Sequence, residues 1–114
     1  MTTARRLIDV LLSEQGSTLV VSVQGELDVA AAPELADELK TVDIGSFEKV
    51  VVDLLQVGFM DSSGLGALIA LRNEYPDTEV ALVADNDGLV SKVLRLTSME
   101  ELFPIFPTRE AALS

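Results

Sequence analysis

The sequence predicts a single α/β domain over residues 1–114, with a mixed, mostly parallel sheet of four to five strands and about four helices. Three observations predict it. The chain has 114 residues, enough for one hydrophobic core and too few for two. Apolar residues make up 48% of it and charged residues 24%, the balance of a soluble globular protein. β-rich runs and segments of helical periodicity follow in the order ββαβαβα(β)α, which favours parallel strands with helices packed on them.

The first two strands come from apolar, β-rich runs at Leu7–Leu12 and Thr18–Gln24. Gln15-Gly16 between them is a turn signal, so the two strands are expected to run antiparallel. The first run follows Arg5-Arg6 and superficially resembles a signal peptide. Asp9 interrupts it and no small-residue cleavage site follows. We therefore interpret it as an edge strand and expect a cytoplasmic protein.

A helix and a buried strand come next. Pro33 suits the first turn of a helix, and apolar residues follow at i, i+4 and i+7 spacing. These residues are Leu35, Leu39 and Val42, and the helix is expected to end near Gly45. Lys49–Leu54 is a continuous β-branched run, typical of a strand that is covered on both faces.

The second half of the chain continues the alternation. The predicted elements are a helix beginning at or near Asp61-Ser62, a buried strand at Glu79–Ala84, a helix over Leu89, Val90, Val93 and Leu94, a short strand in Leu102–Phe106 and a helix at Arg109–Leu113. Asp85–Asp87 offers caps for the third helix, and Pro104 marks the last strand as an edge strand. We assign Met60, Leu89 and Val93 to the core, where Met and Leu usually belong.

The composition excludes much catalytic chemistry. The chain has no Cys and no His, which removes disulfides, thiolate nucleophiles, Ser-His-Asp triads and ordinary zinc sites. We expect no enzymatic activity, no cofactor and no metal. The net charge of −11 disfavours nucleic acid and anionic membranes and favours a partner with a basic docking face. No apolar run approaches the length of a membrane span.

The most informative stretch runs from Asp53 to Gly66. A buried strand ends there and a helix begins, and partners of such sheets meet the edge where strand carboxyl ends and helix N-termini lie. Ser62 falls at this edge, and its hydroxyl can cap the helix. Asp-Ser-Ser is also an ordinary capping sequence. However, Gly64 and Gly66 each cost about 1 kcal/mol relative to Ala in a helix. We expect these glycines to leave backbone open to another molecule.

Two motifs resemble those of the STAS-domain family of anti-sigma factor antagonists. Asp53-Leu54 followed by Val57-Gly58-Phe59-Met60-Asp61-Ser62-Ser63-Gly64-Leu65-Gly66 is similar to the family signature, and Gly25-Glu26-Leu27-Asp28 to its element before the first helix. The order of elements also matches over nearly the whole chain. Two departures stand out: Leu55-Gln56 lies where the family often has Ser or another polar residue, and Asn73–Thr78 lacks the glycines common before the next strand.

The resemblance implies a partner-switching cycle. The unphosphorylated antagonist would bind an anti-sigma factor that is also a serine kinase, and thereby free the sigma factor. The kinase would phosphorylate Ser62, directly after Asp61, and a PP2C-type phosphatase would restore binding. The implied partner-binding residues are Gly25, Glu26, Asp28, Phe59, Met60, Asp61, Ser62, Ser63, Gly64 and Gly66. The free chain is expected to be a monomer or a weak dimer.

Three other functions fit parts of the sequence. A receiver domain with Asp53 or Asp61 as phospho-acceptor would need an acidic pair for Mg²⁺ after an early strand and a Lys at the end of a late one, and the chain shows neither. A phosphate cradle at Gly64-Leu65-Gly66 lacks the Lys-Ser/Thr or third Gly of nucleotide-binding loops. A STAS module in a stress-signalling scaffold or a lipid-transport complex stays open, and partner identification would separate it.

Overall fold

The computed structural model describes residues 6–114, which contain one mixed sheet of five strands and four α-helices. The strands are β1 (Ile8–Gln15), β2 (Thr18–Leu27), β3 (Lys49–Met60), β4 (Glu79–Val83) and β5 (Ile105–Phe106). The helices are α1 (Ala32–Leu39), α2 (Ser62–Glu74), α3 (Leu89–Leu96) and α4 (Arg109–Leu113), with 3₁₀ turns at Ile44–Ser46 and Met99–Glu101. The predicted fold class is confirmed.

The strands lie in the sheet in the order in which they occur in the chain. β1 runs antiparallel to β2 through the turn at Gly16, whose φ is 62°, and the other three pairs are parallel. Each crossover therefore steps in the same direction, and the right-handed rule places α1, α2 and α3 on one face of the sheet. Among the described residues, α4 packs on the opposite face.

The two faces of the sheet carry separate cores. Successive side chains of a strand point to opposite faces, so Val50 and Val52 join the large core under the first three helices while Val51 lies under α4. This arrangement explains why the predicted run at Lys49–Leu54 is apolar without alternation. No helix within residues 6–114 has the length and apolar character of a membrane span.

A partly buried ion pair, with a buried carboxylate and an arginine side chain that is 40% exposed, holds α4 against the sheet. Arg109 donates from Nε and Nη2 to Oδ2 of Asp53, at 2.9 and 2.8 Å, and from Nη2 to Ser22 Oγ at 2.7 Å. Asp53 is 7% exposed, and its Oδ1 accepts the N–H of Leu55 at 2.9 Å. A helix of five residues is too short to be stable by itself. Its place on the sheet therefore depends on this ion pair and on the burial of Ala112.

Several predicted element boundaries differ from the structure. β1 and β2 end later than expected, at Gln15 and Leu27, and β3 continues through the expected loop as far as Met60. β4 ends one residue earlier than expected, at Val83.

The first helix and the last strand are both shorter than expected. The first helix ends at Leu39 and not near Gly45, because the chain turns before the 3₁₀ segment although Val42 still packs on the core. The last strand is only Ile105–Phe106, since the 3₁₀ turn and Pro104 occupy the positions before it. It lies at the edge of the sheet, as Pro104 predicted.

The beginning of α3 also differs from the prediction. Its N-cap residue is Gly88, with no side-chain cap, so Asp85–Asp87 does not cap the helix as expected. Leu89, predicted to lie in the core, is 51% exposed, whereas Met60 and Val93 do pack in it. The helical spacing is otherwise correct, since Val90 and Leu94 are buried.

Candidate functional site

The two motifs meet at the carboxyl ends of β2 and β3. In the parallel register, Glu26 pairs with Phe59 and Leu27 pairs with Met60. The Asp61 N–H also lies 3.5 Å from the Leu27 carbonyl oxygen. Two segments far apart in sequence thus form one surface, which we call the motif edge and define as residues 25–28 and 59–66.

Gly25 begins the part of β2 that belongs to the motif edge. Its φ is 125°, a conformation that residues with a side chain rarely adopt, and an added Cβ would lie 3.2 Å from the Leu7 carbonyl oxygen. Beside Gly25 the pairing with β3 shifts register: Gly25 pairs with Val57 and Glu26 pairs with Phe59, so the extra residue is Gly58 of β3. Such a bulge redirects the side chains that follow it. Gly25 thus has a structural role, and Glu26 is exposed beside it.

The two aspartates of the motif edge hold helix starts. Oδ1 of Asp28 accepts the N–H groups of Ala30 and Ala31 at 3.1 and 3.0 Å, just before α1. Asp61 is the N-cap residue of α2, and its Oδ1 accepts the N–H groups of Ser63 and Gly64 at 2.8 and 3.3 Å. The prediction that the Ser62 hydroxyl caps this helix is therefore wrong.

Asp61 leaves Ser62 free. Ser62 is the first residue of α2, its side chain is exposed, and its hydroxyl has no hydrogen-bond partner within residues 6–114. Ser63 is half-buried. Ser62 thus presents an accessible hydroxyl at a helix N-terminus, next to a carboxylate that is already engaged.

The two glycines of α2 differ in their surroundings. A Cβ at Gly64 would lie 2.5 Å from the Leu27 carbonyl oxygen and 2.9 Å from Met60 Cγ, whereas a Cβ at Gly66 would meet nothing within 4 Å. The expectation that both leave backbone open therefore holds for Gly66 alone. Gly64 is needed for close packing of α2 on β2. Gly64 and Met60 are both buried, so a partner at the motif edge would not contact them directly.

The remaining predicted site residues reach solvent to different extents. Glu26, Phe59, Ser62 and Gly66 are exposed, and Gly25, Asp28, Asp61 and Ser63 are half-buried. None of the acidic residues among these eight forms an ion pair within the described part of the chain. The motif edge is therefore acidic, with one exposed aromatic ring at its centre.

Sequence reasoning missed several exposed apolar side chains near the motif edge. Val29 follows Asp28 directly, Leu55 lies on β3, and Leu89 begins α3; all three are exposed. Alternation along a strand could have identified Leu55, since it follows the buried Leu54 and must face the other way. No signal distinguishes Leu89 from a core leucine at helical spacing.

The described residues contain no group of three or more Asp, Glu, His or Cys side chains arranged to hold a metal ion. The motif edge presents an exposed hydroxyl at Ser62, open backbone at Gly66, and an acidic, partly apolar surface.

The family model described as "STAS domain" matches residues 9–112 of the chain. A STAS-domain containing protein of Pseudomonas aeruginosa is 32% identical over 99 residues, which cover 86% of this chain and 97% of that protein. The crystal structure of an anti-sigma factor antagonist from Mycobacterium paratuberculosis superposes with a TM-score of 0.85 at 32% identity, covering 98% of this chain and 96% of that one.

A third protein shares the fold at lower identity. The anti-sigma factor antagonist SpoIIAA has been solved in its unphosphorylated form, with a TM-score of 0.74, and as the Bacillus cell fate determinant in its phosphorylated form, with a TM-score of 0.67. Both are 23% identical to this chain and cover 92% of it, and the chain covers 93% and 96% of them respectively.

Proposed function

The chain belongs to the STAS domain family, and on that premise we propose that it is a non-enzymatic, cytoplasmic anti-sigma factor antagonist controlled by phosphorylation of Ser62. The unphosphorylated form binds an anti-sigma factor that is also a serine kinase, and phosphorylation ends binding until a PP2C-type phosphatase removes the phosphate. One observation carries the proposal: the exposed Ser62 hydroxyl has no hydrogen-bond partner within residues 6–114 and stands directly after the capping Asp61.

The folded domain can accept this modification. The capping hydrogen bonds of α2 come from Asp61, so a phosphate on Ser62 removes no cap. An anion at a helix N-terminus is favoured by the helix dipole by about 0.3–1 kcal/mol. The phosphorylated chain is therefore expected to stay folded, which a reversible switch requires.

A complex is a different environment for the same phosphate. Phosphorylation adds about −1.5 to −2 charges at neutral pH. In a complex these charges would be desolvated beside the Asp61 carboxylate. A hundred- to thousandfold loss of affinity corresponds to about 3–4 kcal/mol, and leaving a buried charge without a partner commonly costs that much. The penalty is large enough to separate the two proteins.

The experiment uses the chain and the serine-kinase anti-sigma factor of its source organism, both purified. We expect a stable complex without ATP, and with ATP one phosphate on Ser62 by mass spectrometry and dissociation in size-exclusion chromatography. The wild-type complex without ATP is the control for dissociation. Failure to bind any anti-sigma factor, together with recovery of the chain in a stress-signalling or lipid-transport complex, would refute the proposal and favour a STAS module of another assembly.

A further inference from the structure

The carboxyl-terminal part of β3 has a strand neighbour on one side only. Its pairing with β4 ends at Asp53 opposite Val83, whereas its pairing with β2 continues as far as Met60. On the open side, the beginning of α3 lies across a gap from the strand. A groove of about 170 Å³ occupies this gap. Its walls are residues 54, 55, 57 and 58 of β3 and residues 85 and 88–90 before and within α3, and we call it the β3–α3 groove.

The walls of the β3–α3 groove are about half polar and half apolar, and they reach solvent. Leu55 is 41% exposed and Leu89 is 51% exposed, one on each wall. Gly58 adds open backbone, since a Cβ there would meet nothing within 4 Å. Large apolar side chains gathered around an open groove are typical of an interaction site.

The β3–α3 groove also has a chemical preference for its occupant. Beyond Asp53 this edge of β3 has no strand neighbour, and extended segments use the backbone groups of such an edge when they add to a sheet. The Leu55 N–H already donates to Asp53 Oδ1, so the remaining backbone groups of the edge would pair with the segment. Asp85 is the one charged side chain that lines the groove in the described part of the chain, and it forms no ion pair there. A segment that fits is therefore extended, with an apolar side chain beside a lysine or arginine.

We propose that the β3–α3 groove is a second docking site for the anti-sigma factor and receives such an extended segment. The inference rests on the proposed function. It adds a second contact with the anti-sigma factor, away from the phosphate on Ser62. Gly58 and Ser62 are separated by four residue steps, on the order of 13 Å at the rise of a strand. Phe59 is exposed between them, so the groove is continuous with the motif edge. One partner can thus cover both sites.

The test measures the affinity of the purified anti-sigma factor for four variants of the full chain by titration calorimetry. Leu55→Ser and Leu89→Ser are each expected to weaken binding about five- to tenfold, because each removes a half-exposed leucine that the complex would bury. Asp85→Asn should weaken binding and reduce its dependence on salt. Leu11→Ser is the matched control, since Leu11 is 70% exposed on β1 at the far edge of the sheet. It should bind like wild type.

The outcomes separate this inference from the proposed function. If wild type binds the anti-sigma factor and both groove variants bind equally well while remaining folded, the groove is not a docking site. If wild type binds no anti-sigma factor, the proposed function fails and this inference fails with it. Sedimentation of the free chain is the last measurement. If the chain self-associates and Leu89→Ser abolishes the self-association, the groove binds a second copy of the chain, and the proposed occupant is wrong.

Discussion

Exchanging the two glycines of α2 for alanine, one at a time, should change stability in opposite directions. In Gly64→Ala the new Cβ would lie 2.5 Å from the Leu27 carbonyl oxygen, a backbone atom at the end of β2 where this strand is still paired with β3. Neither the strand nor the helix can move away cheaply. Overpacking of this kind costs about 1–3 kcal/mol, and the better helix propensity of Ala returns at most about 1 kcal/mol. We expect a net loss of about 1–2 kcal/mol.

The matched change Gly66→Ala meets nothing within 4 Å and should therefore keep the helix-propensity gain, up to about 1 kcal/mol. The assay is urea denaturation followed by circular dichroism, with the midpoint and the slope fitted separately. The free energies of unfolding of the two variants should differ by about 1–3 kcal/mol, because the gain in helix propensity is common to both and the overpacking cost remains. A Gly64→Ala variant as stable as Gly66→Ala would refute the packing role of Gly64.

Three other predictions concern the second core and the motif edge. Arg109→Met leaves the buried Asp53 without a charged partner and should lower the free energy of unfolding by about 1–3 kcal/mol in urea denaturation, since the pair is only partly buried. Ser62→Ala should bind the anti-sigma kinase, but mass spectrometry should find no phosphate on it. Ser63→Ala should still be phosphorylated. Ser62→Glu should stay folded but bind the kinase poorly. Gly66→Arg should weaken the complex in calorimetry through steric block, with the thermal unfolding midpoint nearly unchanged, because the site is open.

Each of these predictions has a control or a contradicting result. Arg6→Met breaks an ion pair with Glu38 that is more exposed, and it should cost less than about 1 kcal/mol; an equal loss in both arginine variants would contradict the burial argument. Phosphate on Ser63 in the wild type, or labelling of Ser62→Ala at the wild-type rate, would reassign the acceptor. Wild-type affinity in Gly66→Arg would place the partner elsewhere.

The order of the elements could be predicted from the sequence because it depends on local patterns. The run at Lys49–Leu54 is apolar on both faces since helices pack on one side of the sheet and α4 on the other. Pro104 correctly marked an edge strand. The extension of β3 to Met60 could not be predicted in this way, because it depends on how far β2 continues beside it.

The sequence predicted where in the fold the candidate site lies, but not how its residues are arranged. Aspartate and serine are both good N-cap residues, so the sequence could not decide that Asp61 caps α2 and Ser62 is its first residue. The role of Gly64 depends on Leu27, a residue of a distant strand. Local sequence periodicity cannot predict contacts such as these, because they join residues that are far apart in the chain.

The ion pair between Arg109 and Asp53 also has a consequence for synthesis on the ribosome. The two residues are 56 positions apart in the chain. At a synthesis rate of roughly 5–20 residues per second, Arg109 is added to the chain roughly 3–11 s after Asp53. Until then the carboxylate must stay hydrated, and the sheet face that α4 will cover stays open. Strands can join the nascent sheet one by one, in the order of synthesis, but the second core closes only when Arg109 has emerged.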